Sequence, residues 1–404
     1  MKKWSSMRFE RLGNIVLIKK GRKPDITDIP EIGSIRVLQI DDLRNDKNLK
    51  YTNDKSGVFA TEEDVLIAWD GANAGTIGYG KTGYIGSTIA LLRKLEPEKY
   101  STSFIGKFLQ SKFETLRSKT TGATIPHIDR RTLDNLKIPE ISISDQLHIA
   151  NILSQAENLI AQRKESIRLL DEFLKSTFLE MFGDPVRNDN RWEQVLLSKL
   201  GSLDRGVSKN RPRNSPELLG GEYPLIQTGD IANAGLYINK YTQSYSELGM
   251  RQSKMWKRGT LCITIAANIG KTSILNFDSC FPDSIVGFKT NEKDANTIFV
   301  YFLFSFLQKI LEKNAPQAAQ KNINLEILRN LPVPKPPIEL QTQFAQIVES
   351  TEVIKAQYQI SLQELESLYG SLSQRAFKGE LRAKDGEMMM AAEAVAGYRT
   401  ENAK

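Results

Sequence analysis

The chain has 404 residues, 40% of them hydrophobic and 25% charged, a balance that fits a globular protein of two or three domains and excludes disordered and fibrous classes. No apolar run reaches the length of a membrane span, and the opening MKKWSSMRFERLG has no signal-peptide core, so a cytoplasmic protein is expected. A net charge of +7 suits a nucleic-acid partner and, equally, a mildly basic enzyme, while two histidines and no cysteine pair at ligand spacing argue against metal catalysis and a histidine triad.

In chain order, a basic cluster comes first: Lys19, Lys20, Arg22 and Lys23. Gln39 and Asp42 follow within a β-rich stretch marked by turn signals. The apolar run VLIAWD from Val65 predicts a strand. It leads into GTIGYGKT, Gly75 to Thr82, a complete match to G-x-x-x-x-G-K-[ST]. A phosphate-binding loop of that type must open a helix whose N-terminus faces the phosphates. The chain instead continues GYIGSTIALLRK, whose Ile85, Thr88 and Ile89 predict another strand. The match therefore reads as a tight turn, with Asn73 at its tip and Gly75 supplying a positive φ. An amphipathic helix is predicted near SFIGKFLQSKFETLRSK, then Arg130 and Arg131 lead into the proline-marked connector LKIPEISIS. A long helix is predicted from an N-cap at Ser144, with Asp145 in its first turn, to about Phe182, where Gly183 and Pro185 stop it. Leu153, Ile160, Ile167, Leu174 and Met181 recur along it every seven residues.

The second half repeats this order. LDNLKIPEISISDQLHIANIL from Leu133 matches LRNLPVPKPPIELQTQFAQIV from Leu328 without a gap, at an offset of 195 (331 − 136). The pairs include Leu136 with Leu331, Pro139 with Pro334, Gln146 with Gln341 and Ala150 with Ala345. The same offset sets Leu66 on Leu261, Asn73 on Asn268 and Gly75 on Gly270. Nearer the start the offset is 188 (192 − 4), setting Trp4 on Trp192, Leu12-Gly13 on Leu200-Gly201, Gln39 on Gln227 and Asp42 on Asp230. The shared element in AANIGKTSI is strand, Ala-Asn-x-Gly, strand, and Ile265 stands where a P-loop needs its first glycine. Lys209, Arg211 and Arg213 occupy the repeat position of Arg22 and Lys23, and Lys321 lies where Arg130 and Arg131 lie in the first half. The second long helix carries Phe344, Ile347, Thr351, Ile354, Tyr358, Leu362, Leu365, Tyr369 and Leu372 in steps of three and four. Two such seams predict a pair of helices that can lie antiparallel. After Phe377 the tail, to Lys404, reads either as frayed chain or as a short docking helix.

These features together resemble the specificity (S) subunit of type I restriction-modification systems. The motifs carrying the resemblance are the openings WSSMRFERLG and WEQVLLSKLG, the tips GANAGTIG and AANIGKTS, the two connectors with their helices, and the closing SLSQRAFKGEL. The resemblance implies a mixed α/β fold in which two tandem target recognition domains are separated by two long helices forming an antiparallel coiled coil. It assigns 1–143 and 191–338 to the recognition domains, 144–190 and 339–380 to the helices, and 381–404 to a tail. It implies that the chain is not an enzyme: it reads an asymmetric bipartite target in double-stranded DNA, one half per domain, and docks two methyltransferase subunits and restriction subunits. S-adenosylmethionine, ATP and Mg2+ would belong to those partners, with no cofactor on this chain and no membrane.

For DNA contact the expected residues are the cations Lys19, Lys20, Arg22, Lys23, Arg130, Arg131, Lys209, Arg211, Arg213, Lys271 and Lys321 with the polar Gln39, Asn73, Thr76, Gln227 and Asn268. Lysine and arginine suit phosphates, arginine also guanine, and amide side chains match adenine edges. No catalytic or metal-binding residue is expected, because the chain lacks a Gly-rich cofactor loop and the Asn/Asp-Pro-Pro-aromatic tetrapeptide of adenine methyltransferases; GDPV at Gly183 is a helix stop. Two other readings remain: a stand-alone NTPase using Gly75 to Thr82, and a duplicated protein-binding scaffold.

Overall fold

The computed structural model describes residues 7–122, 124–210, 212–266, 268–314 and 323–381. It divides into two units, residues 1–164 with 359–404 and residues 165–358. The architecture is mixed α/β.

The first unit is built around the strand Asp64–Ala68, every residue of which is buried. An apolar run this short is covered on both faces. Val65 and Ile67 face a core shared with the helix Thr102–Ser111, whereas Leu66 and Ala68 face a second core. One sheet has the order Val16–Lys20, Ile89–Lys94, Asp64–Ala68, Ile77–Tyr79, all antiparallel. A second has the order Lys50–Thr52, Ile35–Leu38, Gly83–Ile85, Phe59–Ala60. A two-stranded ladder pairs Phe9–Arg11 with the connector strand Lys137–Pro139.

The second unit repeats both sheets strand for strand. Gly201–Arg205, Ile285–Thr290, Leu261–Thr264 and Thr272–Leu275 form the first, extended by the short edge strand Tyr237–Ile238. That edge strand accounts for extra chain between Asp230 and Leu261. The ladder recurs between Gln194–Leu196 and Pro332–Pro334.

Backbone pairing corrects the repeat alignment in two places. Val65 pairs with Leu92 and Tyr79, and Leu261 pairs with Phe288 and Ile274, so Leu261 corresponds to Val65 rather than to Leu66. A one-residue slip turns a strand over, and the cores agree with the corrected register: Val65 and Leu261 both face the helix-side core, Leu66 and Cys262 the other. The turn that follows is therefore one residue shorter in the second unit. Likewise Leu12 N donates to Leu136 O and Leu197 N to Leu331 O, each at 2.9 Å, so Leu12 corresponds to Leu197, not Leu200.

Each long helix has 40 residues, Ile143–Phe182 and Ile338–Phe377. The first is capped by Ser142 rather than Ser144: Asp145 N donates to Ser142 Oγ at 3.1 Å, and that hydroxyl donates to the Asp145 carboxylate at 2.7 Å. Within each unit the two helix segments run antiparallel. Tyr369 bonds Glu157 and Lys164 pairs with Glu366 in the first; Lys355 pairs with Asp171, and Phe344 packs on Phe178, in the second. One seam position differs from the sequence pattern. Ile354 is exposed, and the neighbouring Lys355 takes the inward position, its side chain 13% exposed against Asp171.

The repeated glutamines tie helix to globule. Gln146 is fully buried; its Oε1 accepts from Ser101 N at 2.9 Å, and its Nε2 donates to Lys99 O at 2.8 Å and Ile141 O at 3.0 Å. Gln341 does the same with Asn296 N at 2.9 Å, Asp294 O at 3.3 Å and Pro336 O at 2.8 Å.

Candidate nucleic-acid interface

In the first unit the register fixes which loops share an edge. Lys20 pairs with Ala90, Ala68 with Ile89 and Ile67 with Ile77, so the chain leaving Lys20 and the turn from Trp69 to Thr76 emerge at one end of the sheet. The turn is closed by its own backbone: Ala74 N donates to Gly71 O at 3.0 Å, Gly75 N to Ala68 O at 2.8 Å and Thr76 N to Asn73 O at 3.1 Å. Gly75 sits at φ +94, which side-chain-bearing residues avoid, and a Cβ there would meet the Phe113 ring at 3.4 Å.

Three cationic side chains and a histidine surround this turn. Arg44 Nη2 donates to Asn73 Oδ1 at 2.9 Å and Thr76 Oγ1 at 3.2 Å. Arg117 Nη1 donates to Ala72 O at 2.9 Å. Lys20 Nζ lies 2.6 Å from one Asp70 oxygen, and His127 Nδ1 lies 2.5 Å from the other. Burial works to raise the Asp70 carboxyl, but the hydrogen bonds from Lys20 and His127 outweigh it and hold it below its ordinary value. Lys20 and His127 thus share one carboxylate, whereas Arg44 and Arg117 are held by neutral acceptors. Among the described residues no carboxylate pairs with either arginine, so both keep an uncompensated positive charge at this sheet end.

Of the expected residues, the fold brings Lys20, Asn73 and Thr76 to this turn. Arg22 and Lys23 are exposed just beyond Gly21, whose N donates to Ile89 O at 2.8 Å, at the same end. Arg130 and Arg131 open the helix Arg130–Asp134, two residues after Ile128, whose N donates to Trp69 O at 2.9 Å. Lys19 is exposed on the strand itself. Gln39 is half-buried, and its backbone N donates to the buried Asp42 carboxylate at 2.7 Å.

The second unit presents the same sheet end with other side chains. Gly206 corresponds to Gly21, and neither has room for a Cβ against the carbonyls beside it. Arg205 stands in the register of Lys20 and donates to Asp283 O at 2.9 and 2.6 Å. Arg213 pairs with the Asp283 carboxylate. Lys209, Asn268 and Lys271 are exposed, the last two on the turn closed by Gly270 N to Thr264 O at 2.9 Å. Gln227 caps the helix Thr228–Asn233 reciprocally with Asp230 and donates to Gln243 at 3.0 Å. Arg211 and Lys321 lie outside the described residues.

Sequence reasoning missed Arg44, Arg117, His127 and Arg205. Arg44 meets Asn73 across 29 positions, a separation without a local signature. Arg205 was within reach of the sequence through the correct repeat register. The P-loop reading fails on geometry: Ile77–Tyr79 and Gly83–Ile85 are strands, no helix follows, and Lys81 is paired with Asp46 at 2.8 Å.

The family model for the type I restriction modification DNA specificity domain matches residues 1–169 and again 190–366. The chain belongs to the type I restriction-modification specificity family. It is 26% identical to the type I restriction enzyme MjaVIII specificity subunit of Methanocaldococcus jannaschii over 93% of each chain. It is 22% identical to the EcoBI specificity subunit of Escherichia coli, over 81% of this chain and 76% of that one. Among solved structures, the S subunit of a type I system from M. genitalium matches with a TM-score of 0.61 at 18% identity, covering 93% of this chain and 98% of that one. Specificity subunits are the non-catalytic components of these systems; they bind DNA and assemble with other subunits. No helix among the described residues is long and apolar enough to cross a membrane.

Proposed function

We propose that this specificity subunit reads a split, asymmetric DNA target, one half-site per unit, and that the long helices space the units and dock two methyltransferase subunits, with restriction subunits completing the nuclease. The observation that supports this is the duplicated sheet end: one backbone frame carries Lys20, Arg44, Asn73 and Arg117 in one copy and Arg205, Asn268 and Lys271 in the other. Equal frames with unequal side chains suit unequal half-sites. S-adenosylmethionine, ATP and Mg2+ are brought by the partners, and the complex acts on cytoplasmic DNA. Mapping methylated adenines in DNA exposed to the assembled complex tests this: a two-part motif with an unspecified spacer is expected, and a continuous motif counts against it.

The spacer role has its own test. One heptad is inserted after Ile160 and another after Ser367, which the Glu157–Tyr369 and Lys164–Glu366 contacts set at one level of the helix pair. The seam keeps its phase, and each helix lengthens by about 10.5 Å at ~1.5 Å per residue. At ~3.4 Å per base pair, the preferred spacer lengthens by roughly three base pairs with both half-sites unchanged. An active variant that keeps its original spacing removes the helices from that role.

A further inference from the structure

We propose that Arg44 reads a guanine in the first half-site, and that Asn73 and Thr76 are its positioning residues rather than readers. The inference rests on the proposal that each unit recognises DNA.

Asn73, at the tip of its turn, is the obvious candidate to read an adenine edge. Its Oδ1 is already committed, accepting from Arg44 Nη2 at 2.9 Å, and the same nitrogen reaches Thr76 Oγ1 at 3.2 Å. Thr76 is itself held: its hydroxyl donates to Asn73 O at 2.9 Å, and its side chain is nearly buried. The guanidinium is therefore fixed at one nitrogen by two anchored neutral acceptors, and among the described residues no carboxylate pairs with it. Nη1 remains as a free, oriented donor on an exposed residue. A phosphate can be met by a flexible lysine acting as a point charge or by an arginine fork, and neither contact carries sequence information. Fixing the plane of a guanidinium matters where direction matters, as at the N7 and O6 acceptors of guanine. The rest of the turn is small: Gly71, Ala72, Ala74 and Gly75, with open space where a Gly71 Cβ would stand, so a base edge can come close.

The second unit supplies a contrast. Gln39 and Asp42 match Gln227 and Asp230 in their capping bonds, 2.7 and 2.8 Å, which sets Ala232 at the position of Arg44. Asn268 there is exposed, and no arginine among the described residues bonds to it. The two homologous asparagines thus have different duties, positioning in one unit and direct contact in the other.

The test uses the complex of this chain with its methyltransferase subunits and a DNA library randomised in both half-sites. Arg44→Ala is expected to relax one guanine of the first half-site by about ten-fold, leaving the second half-site unchanged. Arg44→Lys, which keeps the charge and loses the fork, should relax it as much. Asn73→Ala should relax the same guanine less, and should add nothing in the Arg44→Ala background. Unchanged thermal unfolding of Arg44→Ala verifies that the fold is kept. Full discrimination by Arg44→Ala, with binding weakened alike for every sequence, would assign the residue to a phosphate and overturn the inference. So would a change at an adenine in Asn73→Ala, or a full additional loss in the double variant. Lys271→Ala separates the levels: an effect confined to the second half-site keeps the two-unit reading standing if Arg44 fails. If Lys271→Ala and Arg44→Ala altered the same half-site, the two-unit reading would fall, and this inference with it.

Discussion

The two units share a backbone plan and differ in what holds it together. In the second unit six phenylalanines converge where the long helices meet the globule: Phe178 lies between 4.9 and 6.3 Å, centroid to centroid, from Phe182, Phe299, Phe302, Phe306 and Phe344. In the first unit, among the described residues, Phe377 meets the rings of Phe104 and Phe108 alone, at 5.6 and 5.5 Å, and polar contacts take up the remaining work. Lys107, 2% exposed, pairs with Glu157, which also accepts from Tyr369 OH at 2.6 Å. A similar contrast holds at the central strand. Asp64, fully buried, is paired with Arg93 at 2.6 Å, whereas the corresponding positions of the second unit carry Thr260 and Lys289. One frame therefore tolerates an apolar and a charged solution at equivalent positions, because its register is carried by backbone ladders rather than by any one side-chain chemistry.

The sharpest way to break this contrast is at the aromatic cluster. Phe178→Ala is expected to cost the second unit about 4 kcal/mol, and Phe377→Ala to cost the first nearer 3 kcal/mol, both within the usual range for a buried phenylalanine. Denaturant unfolding followed by hydrogen exchange, resolved by unit, measures the two losses; equal losses would deny the second unit its aromatic dependence.

The repeated glutamines probe what the units have in common. Gln146→Ala and Gln341→Ala each strand one backbone N–H and two carbonyls, so each should destabilise its own unit by roughly 2–3 kcal/mol. The same hydrogen-exchange profile should show the first change confined to residues 1–164 and 359–381, and the second to 165–358. A spread of either effect across both units would mean that they unfold as one.

The smallest effect is the response to acid. Burial alone would raise the Asp64 carboxyl, but the bonds from Arg93 and from the backbone and hydroxyl of Thr61 outweigh it and hold it below 3.8. A depressed native pKa stabilises fully above the unfolded value, and that contribution is lost as pH falls through the native one. Acidification from pH 5 to below about 3.8 should therefore weaken the first unit at this strand. Asp64→Asn should flatten that part of the first unit's profile and leave the second unit's unchanged, as measured by unfolding at a series of pH values.

Much of the architecture was legible from local patterns. Heptad spacing with Gly183 and Pro185 behind it marked the first long helix to its last residue, because periodicity and helix stops are written within a few turns of chain. Glycine chemistry identified the paired turns, and both Gly75 and Gly270 have positive φ. The duplication identified Gln146 and Gln341 as equivalents, although not what they bind. The limits were equally physical. A single residue lost from the second turn left the amino-acid match in place but shifted Leu261 from Leu66 to Val65, and only the ladder hydrogen bonds revealed it.

The sequence by itself determined the class, the duplication, the positions of the long helices and the family, since each rests on composition, period or motifs that persist without knowledge of contacts. The tertiary structure alone decided the partners. It brought Arg44 to Asn73 and His127 to Asp70 across 29 and 57 positions, and it turned Lys355 inward while leaving Ile354 exposed. Such pairings depend on how loops close and which carboxylate waits opposite, and neither has a signature in the chain near the residue itself.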